Sequence, residues 1–475
     1  MRKWWPLVAV CLGAFMLLVD VTIVVVALPD MGRGLDASFA DLQWVMDAYA
    51  LALAALLLAA GSLADRFGRR GTYLASLVIF AVASLACGLA PDAGTLIAGR
   101  AVQGVGGAAM FATTMALLNL AYQGRDRAVA FGVWGAVTGA AAATGPVLGG
   151  LLTEHLSWRA IFLVNLPVSV VTIALAATVL TESRDPRARR TDLPGLVTFT
   201  LSAGSLTYAL IRAGDGGWTA PVTLAWFAAG AVTLAAFVAV ERRSRYPMLD
   251  LALFRRPAFT GVMLAAALVS VAAFAYFVYT SMWLQSTLGL GPVRAGLALL
   301  PMSGAAFVTS AVTARRLHDV SPRLTVGLGL ALVGAGALLQ STVDGDASWT
   351  AITLGLVVAG AGVGICLPSL TAAAMAAAPA ERAGMAAGAL NTARQLGLAL
   401  GIAALGTAFA SRVEAWNLAD RAAAASGLSL TMAIAGAVGL AGAGLVIPLL
   451  RTRREPASTG DYRHLDEKSP ERLSS

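Results

Sequence analysis

The sequence predicts an all-α, polytopic membrane protein, and three observations carry that prediction. Hydrophobic residues make up 58% of the 475 positions and charged residues only 13%, where a soluble domain carries about 25% charged residues. The apolar residues gather into about fourteen runs, each near the roughly 20 residues a bilayer-spanning helix needs. The charges lie mostly between those runs, which fill the chain and leave no room for a large soluble domain.

The predicted spans cover 5–29, 43–64, 72–90, 95–120, 130–153, 159–181, 192–213, 219–241, 258–285, 293–314, 323–342, 349–378, 383–411 and 428–450. Backbone polar groups in hydrocarbon must be satisfied within their own segment, so each run is expected to be a helix. The first run follows Met1-Arg2-Lys3, as in a signal peptide. Its apolar stretch continues to Pro29 without a good cleavage site, so it reads as a retained span. The fifth carries Gly139, Gly145, Pro146, Gly149 and Gly150. Small residues let helices approach closely in lipid, and the proline should bend this one. The ninth is rich in aromatic residues, with Tyr276, Phe277, Tyr279 and Trp283 ahead of Gln285. Lipid-facing or core packing is the favoured reading of these residues, with a place in a cavity as the alternative.

Orientation follows from arginine. Alternate connections are basic, through Arg66, Arg69 and Arg70, Arg125 and Arg127, Arg184 to Arg190, Arg242 to Arg256, Arg315 to Arg323, and Arg451 to Arg454. The intervening connections carry acids such as Asp36, Asp92, Asp215, Asp344 and Asp346. The basic side is expected to face the cytoplasm, which places both termini inside and requires an even number of spans. Gly61-Ser-Leu-Ala-Asp65-Arg66-Phe-Gly68-Arg69-Arg70 follows the second span, and a degraded counterpart, Thr313 to Asp319, follows the tenth. Parallel repeats of this kind are a transporter signature. They predict a six-helix bundle over 1–182, a two-helix insert with linkers over 183–257, a second six-helix bundle over 258–450 and a disordered cytoplasmic tail over 451–475.

Six motifs occur in order: Leu18-Val-Asp20-Val-Thr22 through Pro29; Gly61 to Arg70; Arg100-Ala-Val-Gln103-Gly104; Gly145-Pro146-Val-Leu-Gly149-Gly150; Trp158-Arg159 through Asn165-Leu-Pro167; and Asn391-Thr-Ala-Arg394-Gln395-Leu-Gly397. Together they resemble the major facilitator superfamily, and within it the fourteen-span drug:proton antiporter family, over nearly the whole chain. Val25 stands where that family usually has Asn. The resemblance implies two six-helix bundles with two inserted helices. It implies a gating role for Gly61, Asp65, Arg66, Gly68, Arg69 and Arg70. It also implies an antiport-favouring motif at Gly145, Pro146, Gly149 and Gly150.

The residues themselves support a polar centre. Asp20 lies about 15 residues, or about 22 Å, into a helix entering from the cytoplasm. Arg100 lies about five residues into a helix entering from the opposite side, so both reach the outer half of the bilayer. Ionisable residues inside a membrane tend to be functional. A carboxylate beside a guanidinium sheds its proton, while burial favours keeping it. Asp20 is therefore expected to carry a coupling proton and Arg100 to modulate it, against the plainer reading of a static ion pair. Gln103, Arg394, Tyr279, Trp283, Gln285 and Asp47 are candidate cavity residues. For Asp47, beside Trp44 and Tyr49, an interfacial acid in an aromatic belt is the favoured reading. Glu154 and His155 read as solvated.

Other chemistries are disfavoured. The only lysines, Lys3 and Lys468, close no phosphate loop, and Gly104 to Ala109 fits a dinucleotide fingerprint only inside an apolar run. No His-Glu-x-x-His or Cys-x-x-Cys occurs, and Cys11, Cys87 and Cys366 all sit in apolar runs. No enzyme activity, cofactor, metal, disulfide or nucleic-acid partner is expected. The expected function is proton-driven export of small amphipathic compounds, cationic ones among them, across a bacterial inner membrane. A dedicated exporter of one secondary metabolite and, less favoured, a nutrient symporter are the alternatives.

Overall fold

The computed structural model describes residues 2–184, 192–316, 320–379, 382–413 and 418–450. They form α1 (Trp5–Leu35), α2 (Phe39–Phe67), α3 (Arg69–Gly88), α4 (Ala93–Ala121), α5 (Gly124–His155), α6 (Ala160–Val179), α7 (Leu193–Gly216), α8 (Pro221–Arg243), α9 (Pro257–Thr287), α10 (Pro292–Arg316), α11 (Pro322–Gln340), α12 (Thr353–Ala377), α13 (Ala383–Ala410) and α14 (Arg421–Leu449). Among the described residues thirteen helices are long and apolar enough to cross a membrane, and α5, taken as one bent span, makes a fourteenth. That helix bends by 41° between Gly124–Ala141 and Ala143–His155. The break falls four residues before Pro146, where the pyrrolidine ring meets the preceding turn.

The chain marks most helix ends chemically. Ser38 and Asp41 close a capping box at the start of α2, and Asp92, Asp192 and Asp420 cap α4, α7 and α14. Proline occupies the first turn of α1, α7, α8, α9 and α11. Two predicted boundaries change. The first helix continues past Pro29 to Leu35 and stops at Asp36, whose φ is 50°. The second helix runs through Gly61 to Phe67, so most of the expected loop is helical, and the break is Gly68 with φ 114°. Inside α9, two π-helical turns, Val271–Ala275 and Trp283–Thr287, flank the stretch bearing Tyr276 and Tyr279.

Helices α1–α6 and α9–α14 form two six-helix halves, with α7 and α8 inserted between them in sequence. The halves meet along two seams, α2 against α13 and α5 against α10, and α1 also packs on the middle of α9. The insert is one-sided: α7 covers the α2–α13 seam, and α8 packs on α7. The start of α1 lies beside that of α5 through Lys3 and Asp126, 2.6 Å apart, and Gly261 near the start of α9 lies against Leu449 at the end of α14. These contacts define a terminal end of the molecule, opposite a far end. The tail at 451–475, residues Arg187, Arg189 and Arg190, and positions 317–319 of the weak repeat lie outside the described residues.

Candidate functional site

Asp20 sits mid-way along α1 with no exposed surface, and Arg100 on α4 is equally buried. Their side chains meet, with Arg100 Nη1 2.6 Å from Asp20 Oδ2. The depths counted from sequence thus place these two groups together. A buried ion pair survives only when its remaining donors and acceptors are also satisfied, and here they are. Gln103 Nε2 donates to Asp20 Oδ1 at 2.8 Å, and Asn165 Nδ2 on α6 donates to the same oxygen at 3.0 Å. Arg100 donates to Gln103 Oε1 at 2.7 Å and to the Val45 carbonyl at 3.1 Å. Ser84 Oγ on α3 accepts from Gln103 at 2.9 Å, and the Tyr49 ring lies 4.1 Å from the guanidinium carbon. Three side-chain donors thus converge on one carboxylate.

Five helices thus converge on one buried charge pair. Gln103, expected among cavity residues, belongs instead to this network and has no exposed surface. Sequence reading missed Asn165, Ser84 and Tyr49 as participants. Asn165 was visible in the fifth motif, yet nothing in its spacing pointed toward α1.

The glycines of α5 lie next to the pair. A Cβ on Gly145 would collide with Thr22 Oγ1, and one on Gly149 would lie 2.6 Å from the Ile23 carbonyl oxygen. Both neighbours follow Asp20 within one turn of α1. On the other side, a Cβ on Gly150 would lie 2.6 Å from the Pro292 carbonyl, and Gly296 presses on the Pro146 carbonyl. The bent α5 is therefore wedged between the helix of Asp20 and the second half.

At the far end the halves are sealed to one another. Gln43 Nε2 on α2 donates to Tyr279 Oη at 3.1 Å and to the Ile402 carbonyl at 3.3 Å, and Tyr279 itself donates to that carbonyl. Phe39, Tyr279 and Phe409 pack ring on ring above them. Gln285 Nε2 donates to the Val26 carbonyl at 2.8 Å, and Trp283 is almost fully buried. Glu154, expected to be merely solvated, accepts from Val293 N at 2.9 Å and so ties α5 to α10. Tyr279, Trp283 and Gln285 therefore form part of a closed seam rather than of an open cavity. Toward the terminal end α5 carries glycines with open space before them. Gly139 still approaches Phe307, with a Cβ contact of 3.8 Å, whereas Cβ atoms on Gly132 and Gly135 would meet nothing within 4 Å.

Of two further candidates, Asp47 differs from expectation. Asp47 is fully buried, and neither carboxylate oxygen has a hydrogen-bond partner. The interfacial reading fails because α4, α7 and α13 cover α2 at this level. Arg394 on α13 is half-buried, its Nε has no partner, and it lies within electrostatic reach of Cys366 on α12.

The segment around Gly68 is built within the first half. Arg69 Nε donates to Asp65 Oδ1 at 2.9 Å. Glu182, just after α6, accepts from the backbone N–H groups of Arg70 and Gly71 at 3.1 and 2.9 Å. Its carboxylate thereby neutralises the N-terminus of α3. Arg70 reaches the Ala177 carbonyl, and the Arg66 guanidinium carbon lies 5.2 Å from the Phe67 ring. A Cβ on Gly68 would lie 2.6 Å from Glu182 Oε1, so glycine is required there by contact as well as by its positive φ. Glu182 was not singled out from sequence. Cys11, Cys87 and Cys366 are buried free thiols, and the described residues contain no group of three or more metal-ligating side chains.

Two six-helix halves, the first enclosing a buried charge pair and both sealed to one another at the far end, define the class of multi-span membrane transporters. The chain belongs to the major facilitator superfamily, whose family model matches residues 10–402. It is 38% identical to the multidrug resistance protein Stp of Mycobacterium tuberculosis over 86% of this chain and 76% of that protein. It is 35% identical to the tetracenomycin C resistance and export protein of Streptomyces glaucescens, covering 87% of this chain and 77% of that one. It is 37% identical to the puromycin resistance protein pur8 of Streptomyces alboniger, covering 92% and 89%. Among solved structures, the human organic anion transporter MFSD10 matches with a TM-score of 0.63 at 16% identity, over 94% of this chain and 99% of that one. A peptide transporter POT bound to sulfate matches with a TM-score of 0.66 at 15% identity, covering 94% and 95%. At such identities these structures speak for the fold alone.

Proposed function

We propose that the protein is a proton-coupled antiporter that exports amphipathic drugs or antibiotics by alternating access. Its basic terminal end would lie in the cytoplasm of a bacterium and its far end outside the inner membrane. The observation that carries this reading is the Asp20–Arg100 pair, buried in the first half and saturated with donors. An ion pair so enclosed is a poor means of adding stability, since well-packed apolar residues often do as well. It is a good means of holding a carboxylate ionised until its partners move.

The proton step follows from that geometry. With the far end sealed, Arg100, Gln103 and Asn165 hold Asp20 in its charged form, and its proton has left toward the cytoplasm. Rocking the halves apart at the far end would displace α10 and α5. Through Gly145 and Gly149, α5 would shift α1 at Thr22 and Ile23. Separation of Asp20 from Arg100 would then raise its demand for a proton, taken from outside. The return swing would restore the pair and deliver that proton inside. In the opposite state, Asp65, Arg66, Arg69 and Arg70 would hold the terminal end shut. Arg394 would supply a polar handle in an otherwise apolar cavity.

The substrate class rests on the export and resistance proteins among the relatives and on the apolar walls. The test uses protein reconstituted into vesicles with an imposed pH gradient and a panel of lipophilic cations, puromycin and a planar polyketide. Competition among unrelated compounds supports multidrug export. Transport of one compound alone supports the dedicated exporter instead. Movement of substrate in the same direction as protons contradicts antiport.

A further inference from the structure

The segment Asn391-Thr-Ala-Arg394-Gln395-Leu-Gly397 plays no part in the proton step, and its arginine is placed for a task of its own. Arg394 lies about 11 residues, or about 17 Å, into α13. Among the described residues from 257 to 449, the other charged side chains stand in the first or last turn of a helix or between helices.

Helical register settles which way Arg394 faces. Thr392 Oγ1 donates to the Ala54 carbonyl at 3.1 Å, and a Cβ on Gly388 would lie 2.8 Å from Leu58, so one face of α13 rests on α2. On the opposite side Gly397 and Gly401 meet Ala267 and Val271 of α9. Thr407 Oγ1 donates to the Leu210 carbonyl at 2.8 Å, which turns a third face outward against the insert helix α7. The remaining face is opposite α7 and is bounded by one helix of each half, so it looks into the space between the halves. It carries Ala387, Asn391, Arg394 and Leu398, three or four residues apart, and all four are half-buried. Further along the same stripe Ile402 and Leu405 are buried, at the level of the Gln43–Tyr279 seal. Arg394 therefore borders a space that is closed at the far end.

A cation inside a membrane needs an anion or acceptors. The Arg394 Nε has no hydrogen-bond partner, and no ion pair to this side chain occurs among the described residues. Cys366 on α12 is within electrostatic reach but is a buried thiol, not a carboxylate. The two acids buried in the first half do not serve. Asp20 is taken up by Arg100, Gln103 and Asn165, and Asp47 has no surface open to this space. The unpaired charge facing the space is thus positive. A guanidinium presents a planar fork of donors that fits two carboxylate oxygens at once, and Ala387 and Leu398 beside it offer apolar surface to a ring system.

We infer that Arg394 anchors the transported compound through an acidic oxygen, so that the preferred substrates are amphipathic anions with a carboxylate or phenolate at the edge of an apolar ring system. Cations and neutral compounds without such an oxygen bind in the same space more weakly. The inference rests on the proposed export function and names the chemistry its cavity selects. An anionic lipid headgroup presents the same chemistry, and the test separates the two.

The test measures equilibrium binding of three fluorescent pyrenes of similar size that carry a carboxylate, a carboxamide or a methylammonium group. The full-length protein sits in phosphatidylcholine nanodiscs at one pH with no gradient, and empty discs give the blank. The native protein should bind the carboxylate roughly 10- to 100-fold more tightly than the carboxamide, the range expected for charge-assisted hydrogen bonds. Arg394→Gln should erase that preference yet bind the carboxamide as before, which also shows that the variant is folded. Arg394→Lys should keep part of the preference, and Arg412→Gln, at an exposed position past the end of α13, should keep all of it. A native protein that binds the three pyrenes alike overturns the inference, and so does an Arg394→Gln variant that keeps the preference. In phosphatidylglycerol discs the preference should persist. Its loss there would assign the site to a lipid headgroup and overturn the assignment to substrate. Because binding is read without a gradient, the preference in a protein that fails to exchange compound for protons would sink the antiport reading and leave this one standing.

Discussion

Replacing Asp20 by Asn removes one charge from a network whose every partner is known, so its consequences can be worked out. Arg100 loses its counter-ion within a region of no solvent exposure. Breaking a buried pair from one side typically costs about 3–5 kcal/mol. Part of that is recovered here. Arg100 keeps Gln103 Oε1, the Val45 carbonyl and the Tyr49 ring, and a desolvated cation–π contact is worth about 2 kcal/mol. The amide oxygen of the new Asn can still accept from Gln103 or Asn165. The net loss is then roughly 2 kcal/mol, small enough to leave a folded protein that binds substrate. Its functional effect is total, since an amide carries no exchangeable proton in this range. The assay follows pH in weakly buffered detergent while tetraphenylphosphonium or a neutral antibiotic is added. The native protein should release protons in proportion to bound compound, and Asp20→Asn should release none while still binding. Undiminished release by the variant would refute the assignment of the exchangeable proton to Asp20.

Other substitutions test the surroundings. Asn165→Leu removes a hydrogen bond to a charged group and should lower stability by about 1.5–3 kcal/mol; the thermal midpoint should fall clearly more than for Asn391→Leu, whose amide bonds only the Ala387 carbonyl of its own helix. Gly149→Val should abolish transport, because its Cβ would meet the Ile23 carbonyl at 2.6 Å and push α1 away. The overpacking costs about 1–3 kcal/mol, whereas Gly132→Val, with nothing within 4 Å, should transport normally. Glu182→Gln replaces the anion at the start of α3 and should cost about 0.5–1 kcal/mol, read as a small drop in thermal midpoint that high salt makes still smaller.

Much of the fold could be read from the chain because membrane spans announce themselves locally. Runs of apolar residues set the helices, and each of the fourteen expected spans corresponds to a helix. Boundaries moved where caps decided them, as at Ser38 and Asp36, or where a proline sat inside a helix, as at Pro29. The meeting of Asp20 and Arg100 was legible because depth in a bilayer can be counted from each helix end. The rest of the network was not, since Ser84 and Asn165 lie 64 and 145 residues from Asp20 in the chain and only packing unites them. Asp47 was misplaced for the same reason. Composition puts it beside Trp44 and Tyr49, but its burial comes from α7 and α13 lying across α2. Glu182 follows the sixth span in a polar stretch that looks like any linker, and its role is visible only once the N-terminus of α3 stands beside it.

The most direct test of coupled export is transport in vesicles holding the purified protein and ethidium, with an imposed pH difference as the only driving force. The account predicts that ethidium moves against its gradient, opposite to the protons, and that nigericin or Asp20→Asn abolishes the movement. Ethidium accumulation that survives collapse of the pH difference, or that follows an imposed sodium gradient instead, would contradict it.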